Sequence, residues 1–409
     1  MRSILKNSTF LLLAQALVKI ISFFYTIFLA NFLGVSNFGY YVTALAYFSL
    51  ISAISDFGFN RFLIREGSRD QTVLSKMVGV VSLLRIVLVT LICLIFWFWI
   101  KGVDPDSERI SLSTLAVMAV LPQSIALTFD AALVARQRIG FSALGLLILS
   151  TVTTGVGIYL ILSGYETSGA LISLILGQVV YFLVLFIFLR QTGVSFKLLF
   201  DKETLRKILN GSVPYGIISV LGLLYFRIDT LLISYIRGVE ETGIYGAAYR
   251  FLEAVIFIPS ALATAMFPVV VNLHDKNPGE IKKLYFKSVG ILFVLSLPIL
   301  IIYLYFLPQL IERFLPAFIG SIAAIKILSW TIPFIFIHVP GALVLISGSK
   351  YLWEVIYLSL FTLSFNIIFN IIFLPSFGFI AAAYITVASE ALSFLVFFIL
   401  LYKRILKDG

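Results

Sequence analysis

Twelve long apolar stretches run through the sequence, and each is long enough to cross a lipid bilayer as a helix. Such a helix needs about 20 consecutive apolar residues. The predicted spans are residues 8–33, 40–62, 76–100, 110–134, 139–162, 168–189, 213–236, 244–271, 286–307, 319–346, 352–374 and 378–401. Charged residues make up 12% of the chain, about half the fraction in a soluble domain. The sequence therefore predicts an all-α membrane protein.

A polar link between the sixth and seventh spans divides the chain into two halves of six spans. The prediction is an N-terminal lobe over residues 1–189, a cytoplasmic amphipathic linker over 190–212 and a C-terminal lobe over 213–409. Within the linker, Asp201 is a suitable N-cap for a short helix with one apolar face. Such a helix would lie on the membrane surface, although the interpretation we favour for the linker is a simple tether between the two halves.

The distribution of lysine and arginine predicts the orientation of the chain. With the N-terminus inside the cell, 21 of the 30 basic residues fall in inside segments, 4 in outside loops and 5 in spans. Basic residues accumulate on the cytoplasmic side of membrane proteins. We therefore expect both termini in the cytoplasm. The same asymmetry accounts for the net charge of +10, so nucleic acid is not an expected partner.

The two halves share a short pattern at the loop that follows their first span. Residues 34–41 and residues 238–245 carry Gly, Val, Gly and Tyr at matching positions, at an offset of 204 residues. Both loops lie outside in the predicted topology, as parallel internal repeats require. The pattern predicts two pseudo-symmetric six-helix lobes.

Four charged residues lie inside the seventh and eighth spans. They are Arg227, Asp229, Arg250 and Glu253. A charge at the bilayer centre costs about 2.5–3.5 kcal/mol on insertion scales, so such side chains face protein or water. Arg250 and Glu253 are three residues apart, and this spacing predicts an ion pair on one helix face. Arg227 and Asp229 are two apart and need partners elsewhere.

The cations of the first two spans of each half are candidates for binding an anionic headgroup in an aqueous cavity. The candidate binding residues are Lys19, Arg61, Arg65, Arg227 and Arg250. Arginine suits phosphate because its planar guanidinium donates two parallel hydrogen bonds. The candidate charge partners or proton carriers are Asp56, Asp229 and Glu253.

No catalytic constellation stands out, and we expect neither an enzyme nor a cofactor. The sequence lacks a glycine-rich phosphate loop, a metal-binding His/Glu helix and a nucleophile elbow. Its two histidines, His274 and His338, and its single cysteine, Cys93, cannot supply a zinc cluster of the usual type. We interpret His338, which lies close to Pro340, as a packing or capping residue.

Short motifs in both halves follow the pattern of a known transporter family. The first half carries LANFLG at 29–34, FGYY at 38–41, DFGF at 56–59 and REGSRD at 65–70. The second half carries YFRIDTLL at 225–232, GIYGAAYR at 243–250, PSAL at 259–262 and FP at 267–268. Over nearly its whole length the chain resembles the Wzx-type polysaccharide-biosynthesis flippases of the multidrug/oligosaccharidyl-lipid/polysaccharide exporter superfamily.

The resemblance implies a MATE-like fold that works by alternating access in a bacterial inner membrane. It implies a substrate of undecaprenyl-pyrophosphate-linked repeat units, moved from the cytoplasmic to the periplasmic leaflet for O-antigen (lipopolysaccharide) or capsule-type synthesis. Lys19, Arg227 and Arg250 are the cations placed to hold that headgroup, and Asp229 or Glu253 would pair with them or take a proton. The expected partners are the lipid-linked oligosaccharide, membrane lipids and a polysaccharide polymerase.

Three other functions fit parts of the sequence. A cation-coupled multidrug antiporter of the same superfamily would favour an acidic, aromatic cavity, and Arg227 and Arg250 argue against it. A flippase for the peptidoglycan lipid precursor resembles this chain but carries two additional spans. A non-transporting scaffold for glycosyltransferases would need docking loops, and the predicted connections are short.

Overall fold

Helices account for nearly all of the structure, a computed structural model that describes residues 2–274, 278–347 and 351–406. No strand occurs among these described residues. The chain groups into two units, Met1–Leu223 and Leu224–Gly409. Each unit is described by itself below.

Seven helices and the start of an eighth build the first unit. They are α1 (Arg2–Asp56), α2 (Phe59–Arg69), α3 (Leu74–Val103), α4 (Ser107–Met118), α5 (Val120–Ala135), α6 (Ile139–Leu160), α7 (Glu166–Gln191) and α8 (Lys202–Ile236). A buried apolar cluster joins α2, α3, α5 and α7. In it the Phe129 ring lies 5.7 Å from the Phe182 ring and 4.9 Å from the Phe196 ring, centroid to centroid.

The helix α1 is broken at Gly34. With φ 72° and ψ 179°, Gly34 has backbone angles that a residue with a side chain adopts at considerable cost. A straight helix of 55 residues would be about 80 Å long, far more than the roughly 30 Å hydrocarbon core. The break therefore divides α1 into two membrane-crossing segments.

The number of spans agrees with the sequence prediction. Among the described residues, nine helices are long and apolar enough to cross a membrane, and a tenth arises if two helices that meet at 43° are one span. Two of the nine contain a break, at Gly34 and at Gly164. Dividing both there and counting the bent pair as one span gives twelve among the described residues, so the prediction of an all-α membrane protein with about twelve spans is confirmed.

The short surface helix predicted within residues 190–212 is not a separate element. Its residues form the first turns of α8, which continues through the seventh span. Pro214 lies inside α8 and removes one backbone donor, which does not end the helix. The short helix expected from residue 202 onward is therefore the N-terminal part of α8.

The start of α8 is fixed by Asp201, as the sequence predicted. Asp201 Oδ2 accepts a hydrogen bond from the backbone N–H of Thr204 at 2.8 Å. Its Oδ1 lies 3.0 Å from Lys76 Nζ of α3. The hydrogen bonds from Thr204, and then the Lys76 ammonium, lower the pKa of Asp201 to about 2. The cap thus also ties α8 to α3.

The second unit continues from α8 through seven further helices. They are α9 (Val239–His274), α10 (Pro278–Ile301), α11 (Leu307–Phe314), α12 (Ser321–Leu328), α13 (Thr331–Ser347), α14 (Leu352–Phe377) and α15 (Phe379–Leu401). Side chains of α9, α10, α13, α14 and α15 form its apolar core, including Val270, Tyr285, Val344, Val355 and Phe397. Within this unit, α8 carries Arg227 and Asp229, α9 carries Arg250 and Glu253, and α15 carries Glu390.

Candidate functional site

A carboxylate bridges two arginines inside the second unit. Glu253 on α9 accepts a hydrogen bond from Arg227 Nη1 on α8 at 2.6 Å through Oε1. Through Oε2 it accepts another from Arg250 Nη1 at 2.9 Å. The pairing of Arg250 with Glu253, expected from their spacing, is therefore present. The sequence left the partner of Arg227 open, and the structure supplies it across two helices.

This Arg227–Glu253–Arg250 cluster carries an excess of positive charge. Two guanidinium groups face one carboxylate, which leaves a net charge of +1. The three side chains are 18%, 21% and 23% exposed for Arg227, Arg250 and Glu253. Arg250 lies eleven residues into α9, or about 17 Å along its axis. A partly open cationic cluster at mid-membrane depth can bind an anionic group.

Asp229 does not join this cluster, although it follows Arg227 by two residues. Its side chain is buried, and its partners are neutral. Its Oδ2 accepts hydrogen bonds from the Tyr245 hydroxyl at 3.0 Å and from the Thr386 hydroxyl at 2.7 Å. Its Oδ1 accepts one from Asn370 Nδ2 at 3.0 Å. Asp229 thus connects α8 to α9, α14 and α15 within the second unit.

In the first unit, Asp56 pairs with a fully buried arginine. Arg85 of α3 donates from Nη2 to Asp56 Oδ1 and to Asn60 Oδ1. From Nη1 it donates to the backbone carbonyl of Ser124 at 2.5 Å and to Thr128 Oγ1 at 2.9 Å. With these donors engaged on three helices, Arg85 and Asp56 form a packing element rather than an open binding site.

The remaining candidate cations of the first unit are exposed. Arg61 and Arg65 lie four residues apart on α2, and their side chains share one face of it. The Arg61 guanidinium lies 6.0 Å from the centroid of the Tyr215 ring. Arg65 Nε lies 2.9 Å from Glu66 Oε1. Lys19 is exposed on α1.

The candidate residues therefore fall into two sets, one in each unit. The first set is Lys19, Asp56, Arg61 and Arg65, and the second is Arg227, Asp229, Arg250 and Glu253. Sequence reasoning missed Asn370 and Thr386 around Asp229. A signal for Asn370 existed, because Asn366 and Asn370 lie one helical turn apart in an apolar span. Among the described residues, no three His, Cys, Asp or Glu side chains form a metal site.

The fold, with its membrane-length apolar helices, defines a polytopic all-helical membrane protein. A model of the family described as "Polysaccharide biosynthesis protein" matches residues 4–274. A model described as MatE matches residues 214–372. The first match covers well over half of the chain, so the chain belongs to the polysaccharide biosynthesis protein family.

Similar curated proteins come from bacteria and archaea. A candidate O-antigen transporter of Shigella flexneri is 25% identical over 315 residues, which cover 73% of this chain and 74% of that protein. A candidate flippase of low-salt glycan biosynthesis from Haloferax volcanii is 25% identical over 256 residues, which cover 62% of this chain and 52% of that protein.

Solved structures show the same fold at low sequence identity. The inward-facing conformation of a multidrug resistance MATE family transporter of the MOP superfamily matches with a TM-score of 0.75 and 18% identity, covering 95% of this chain and 98% of that one. A MOP superfamily transporter from Pyrococcus furiosus matches with a TM-score of 0.67 and 18% identity, covering 98% and 95%. The prediction of a MATE-like fold is confirmed.

Proposed function

We propose that this protein is a flippase for undecaprenyl-pyrophosphate-linked oligosaccharide repeat units. It moves them from the cytoplasmic to the periplasmic leaflet of a bacterial inner membrane by alternating access, for O-antigen or capsule-type polysaccharide synthesis. Family membership and the relatives named as O-antigen transporter and glycan flippase support this proposal. Both termini lie in the cytoplasm, and a polysaccharide polymerase acts on the product.

The observation that carries the proposal is the Arg227–Glu253–Arg250 cluster. A pyrophosphate linkage carries negative charge on several oxygens, and guanidinium groups bind such oxygens through paired hydrogen bonds. The cluster has a net charge of +1, and its side chains remain partly exposed. It can therefore hold the headgroup while Glu253 keeps the two arginines oriented.

The test is to measure lipid-linked saccharide in cells that lack this protein. The cells are resupplied with the wild type, Arg227→Ala or Arg250→Ala at equal membrane abundance. We expect repeat units to accumulate on the cytoplasmic leaflet and the wild type to clear them. A hydrogen bond to a charged group contributes about 1.5–3 kcal/mol, so each variant should clear them at least about tenfold more slowly.

Lys326→Ala is the matched control, because Lys326 is a cation in a span of the same unit with an exposed side chain. It should behave as the wild type does. If no saccharide accumulates without the protein, the flippase proposal fails. If it accumulates and both arginine variants clear it at the wild-type rate, the protein is a flippase but the cluster is not its headgroup site.

A cation-coupled multidrug antiporter is the second candidate, and the match to the MatE model over residues 214–372 favours it. The cluster opposes it, because a net positive charge repels an organic cation. A flippase of the peptidoglycan precursor is less favoured, since the described residues give twelve spans when the two broken helices are divided and the bent pair is counted as one span. An assay of cation-drug efflux in the same cells distinguishes the multidrug antiporter from the proposed oligosaccharide flippase.

A further inference from the structure

A buried glutamate in the last helix faces a histidine. Glu390 lies at the middle of α15, eleven residues from either end, and is 3% exposed. Its Oε2 lies 3.6 Å from Nδ1 of His338 on α13. Both atoms are buried, and neither has a hydrogen-bond partner among the described residues. The His338 ring also packs against Phe397, 5.3 Å away.

No guanidinium or ammonium group compensates Glu390 in the described part of the chain. Among the described residues of the second unit, Arg227 and Arg250 both pair with Glu253. Asp229 has neutral donors. The one basic side chain in ion-pair contact with Glu390 is His338. An isolated carboxylate in an apolar interior is costly, so such groups are paired or neutralised.

The other titratable groups described around the pair do not supply a positive charge that would compensate Glu390. On α8 and α9, the groups that interact electrostatically with Glu390 are the Tyr225 and Tyr249 hydroxyls. On α10, Tyr285 shares the apolar core with Phe397. The remaining titratable groups nearby are exposed or already paired: Lys326 on α12, Tyr357 on α14, Tyr384 on α15, and Glu354 of α14 with Arg404.

We propose that His338 and Glu390 form an exchangeable proton-binding site that couples to transport. This inference rests on the proposed function for its coupling role. One proton from water converts a neutral imidazole and a carboxylate into an imidazolium–carboxylate pair. The net charge of the pair changes from −1 to zero, and the facing atoms gain the hydrogen bond that each lacks. Release returns the proton to water.

The His338–Glu390 pair and the Arg227–Glu253–Arg250 cluster lie in the same unit. Tyr249 of α9 lies near enough to Glu390, Arg227, Asp229 and Glu253 for each of these charges to act on its hydroxyl. A change of one charge unit at the pair therefore alters the field at the arginines. Without the proton, the extra negative charge opposes anion binding at the cluster. With the proton, the cluster holds the anion more strongly.

The proton site can be tested without any substrate. His274→Gln leaves His338 as the single histidine, so ¹⁵N-histidine labelling of protein purified without a histidine tag reports one imidazole. We expect its ring signals to change from those of a neutral imidazole to those of an imidazolium as the pH is lowered. Adding Glu390→Gln should displace the midpoint by at least about one pH unit, since it removes a charge in contact.

Glu354→Gln is the control, because Glu354 pairs with Arg404 instead, and it should leave the midpoint unchanged. If Glu390→Gln does not fold, Glu390→Asp keeps the charge at a longer distance and should give a smaller displacement. A ring that keeps one protonation state over the whole range overturns the proton site. A midpoint that is the same with and without the Glu390 substitution also overturns it.

The coupling role is tested in proteoliposomes with a fluorescent polyprenyl-pyrophosphoryl N-acetylglucosamine as the probe. We expect an imposed pH gradient to change the wild-type transport rate, and Glu390→Gln and His338→Gln to lose that response. If both variants respond as the wild type does, the coupling role is overturned. If the wild type moves no probe, the proposed function fails for this substrate, while the histidine titration still decides the proton site.

Discussion

At the scale of single residues, the in-span carboxylates differ by their neighbours. Glu253 accepts from two arginines, Asp56 from one, and Asp229 from hydroxyl and amide donors. Arg85, the partner of Asp56, is fully buried. Removing one member of a buried pair leaves an uncompensated charge, whereas replacing both with apolar groups is often tolerated. Single and double substitutions of Asp56 and Arg85 therefore test whether this ion pair stabilises the fold.

We predict that Asp56→Ala lowers the free energy of unfolding by about 3–5 kcal/mol, because Arg85 then keeps its charge without a counterion. Thermal unfolding of the protein in detergent measures the loss. The double variant Asp56→Ala/Arg85→Met should recover most of it. Glu66→Ala, which removes an exposed pair with Arg65, should cost less than about 1 kcal/mol. Equal losses in the Asp56 and Glu66 variants would contradict the buried-pair assignment.

At the scale of elements, glycine sets the break between the first two spans. Gly34 has φ 72°, and Gly238, its counterpart in the second half, has φ 92°. The matching motifs at residues 34–41 and 238–245 thus share a backbone geometry as well as a sequence. Left-handed angles are readily available to glycine and costly for other residues. In both halves, a glycine with a positive φ therefore lies at the first position of the shared motif, where the helical backbone is interrupted.

We predict that Gly34→Ala destabilises the protein by about 1–3 kcal/mol through backbone strain. An added Cβ at Gly34 meets no atom within 4 Å, so the effect would come from the backbone alone. Gly155 of α6 also has open space, and its φ is ordinary. Gly155→Ala should be neutral or stabilising by up to about 1 kcal/mol. Thermal unfolding compares the two, and shifts of the same sign would refute the argument.

At the scale of the whole molecule, the asymmetry of basic residues predicts which loops face the cytoplasm. In a Cys93→Ala background the chain has no other cysteine, so single cysteines report their own accessibility. Ser107, the first residue of α4, and Ser195, in the connection between α7 and α8, are both exposed. We predict that a membrane-impermeant maleimide labels Ser107→Cys in intact cells and labels Ser195→Cys only after the membrane is opened. The reverse pattern would contradict cytoplasmic termini.

The sequence alone determined the class of fold and the number of spans. Length, apolarity and charge in each stretch suffice for this, because a helix needs about 20 apolar residues to cross a bilayer and a charge within it is costly. It also determined the Arg250–Glu253 pair and the Asp201 cap, since both depend on spacing within one helix or turn. Such contacts depend on the geometry of one helix or turn and not on how the helices pack together.

Only the tertiary structure decided how charges on different helices pair. Arg227 meets Glu253 26 residues away, and Arg85 meets Asp56 29 residues away. Helical periodicity carries no information about which helix faces which. The contact between His338 and Glu390 has the same origin. Contacts across helices depend on how the bundle packs, and that is set by the sum of many apolar contacts rather than by any single motif.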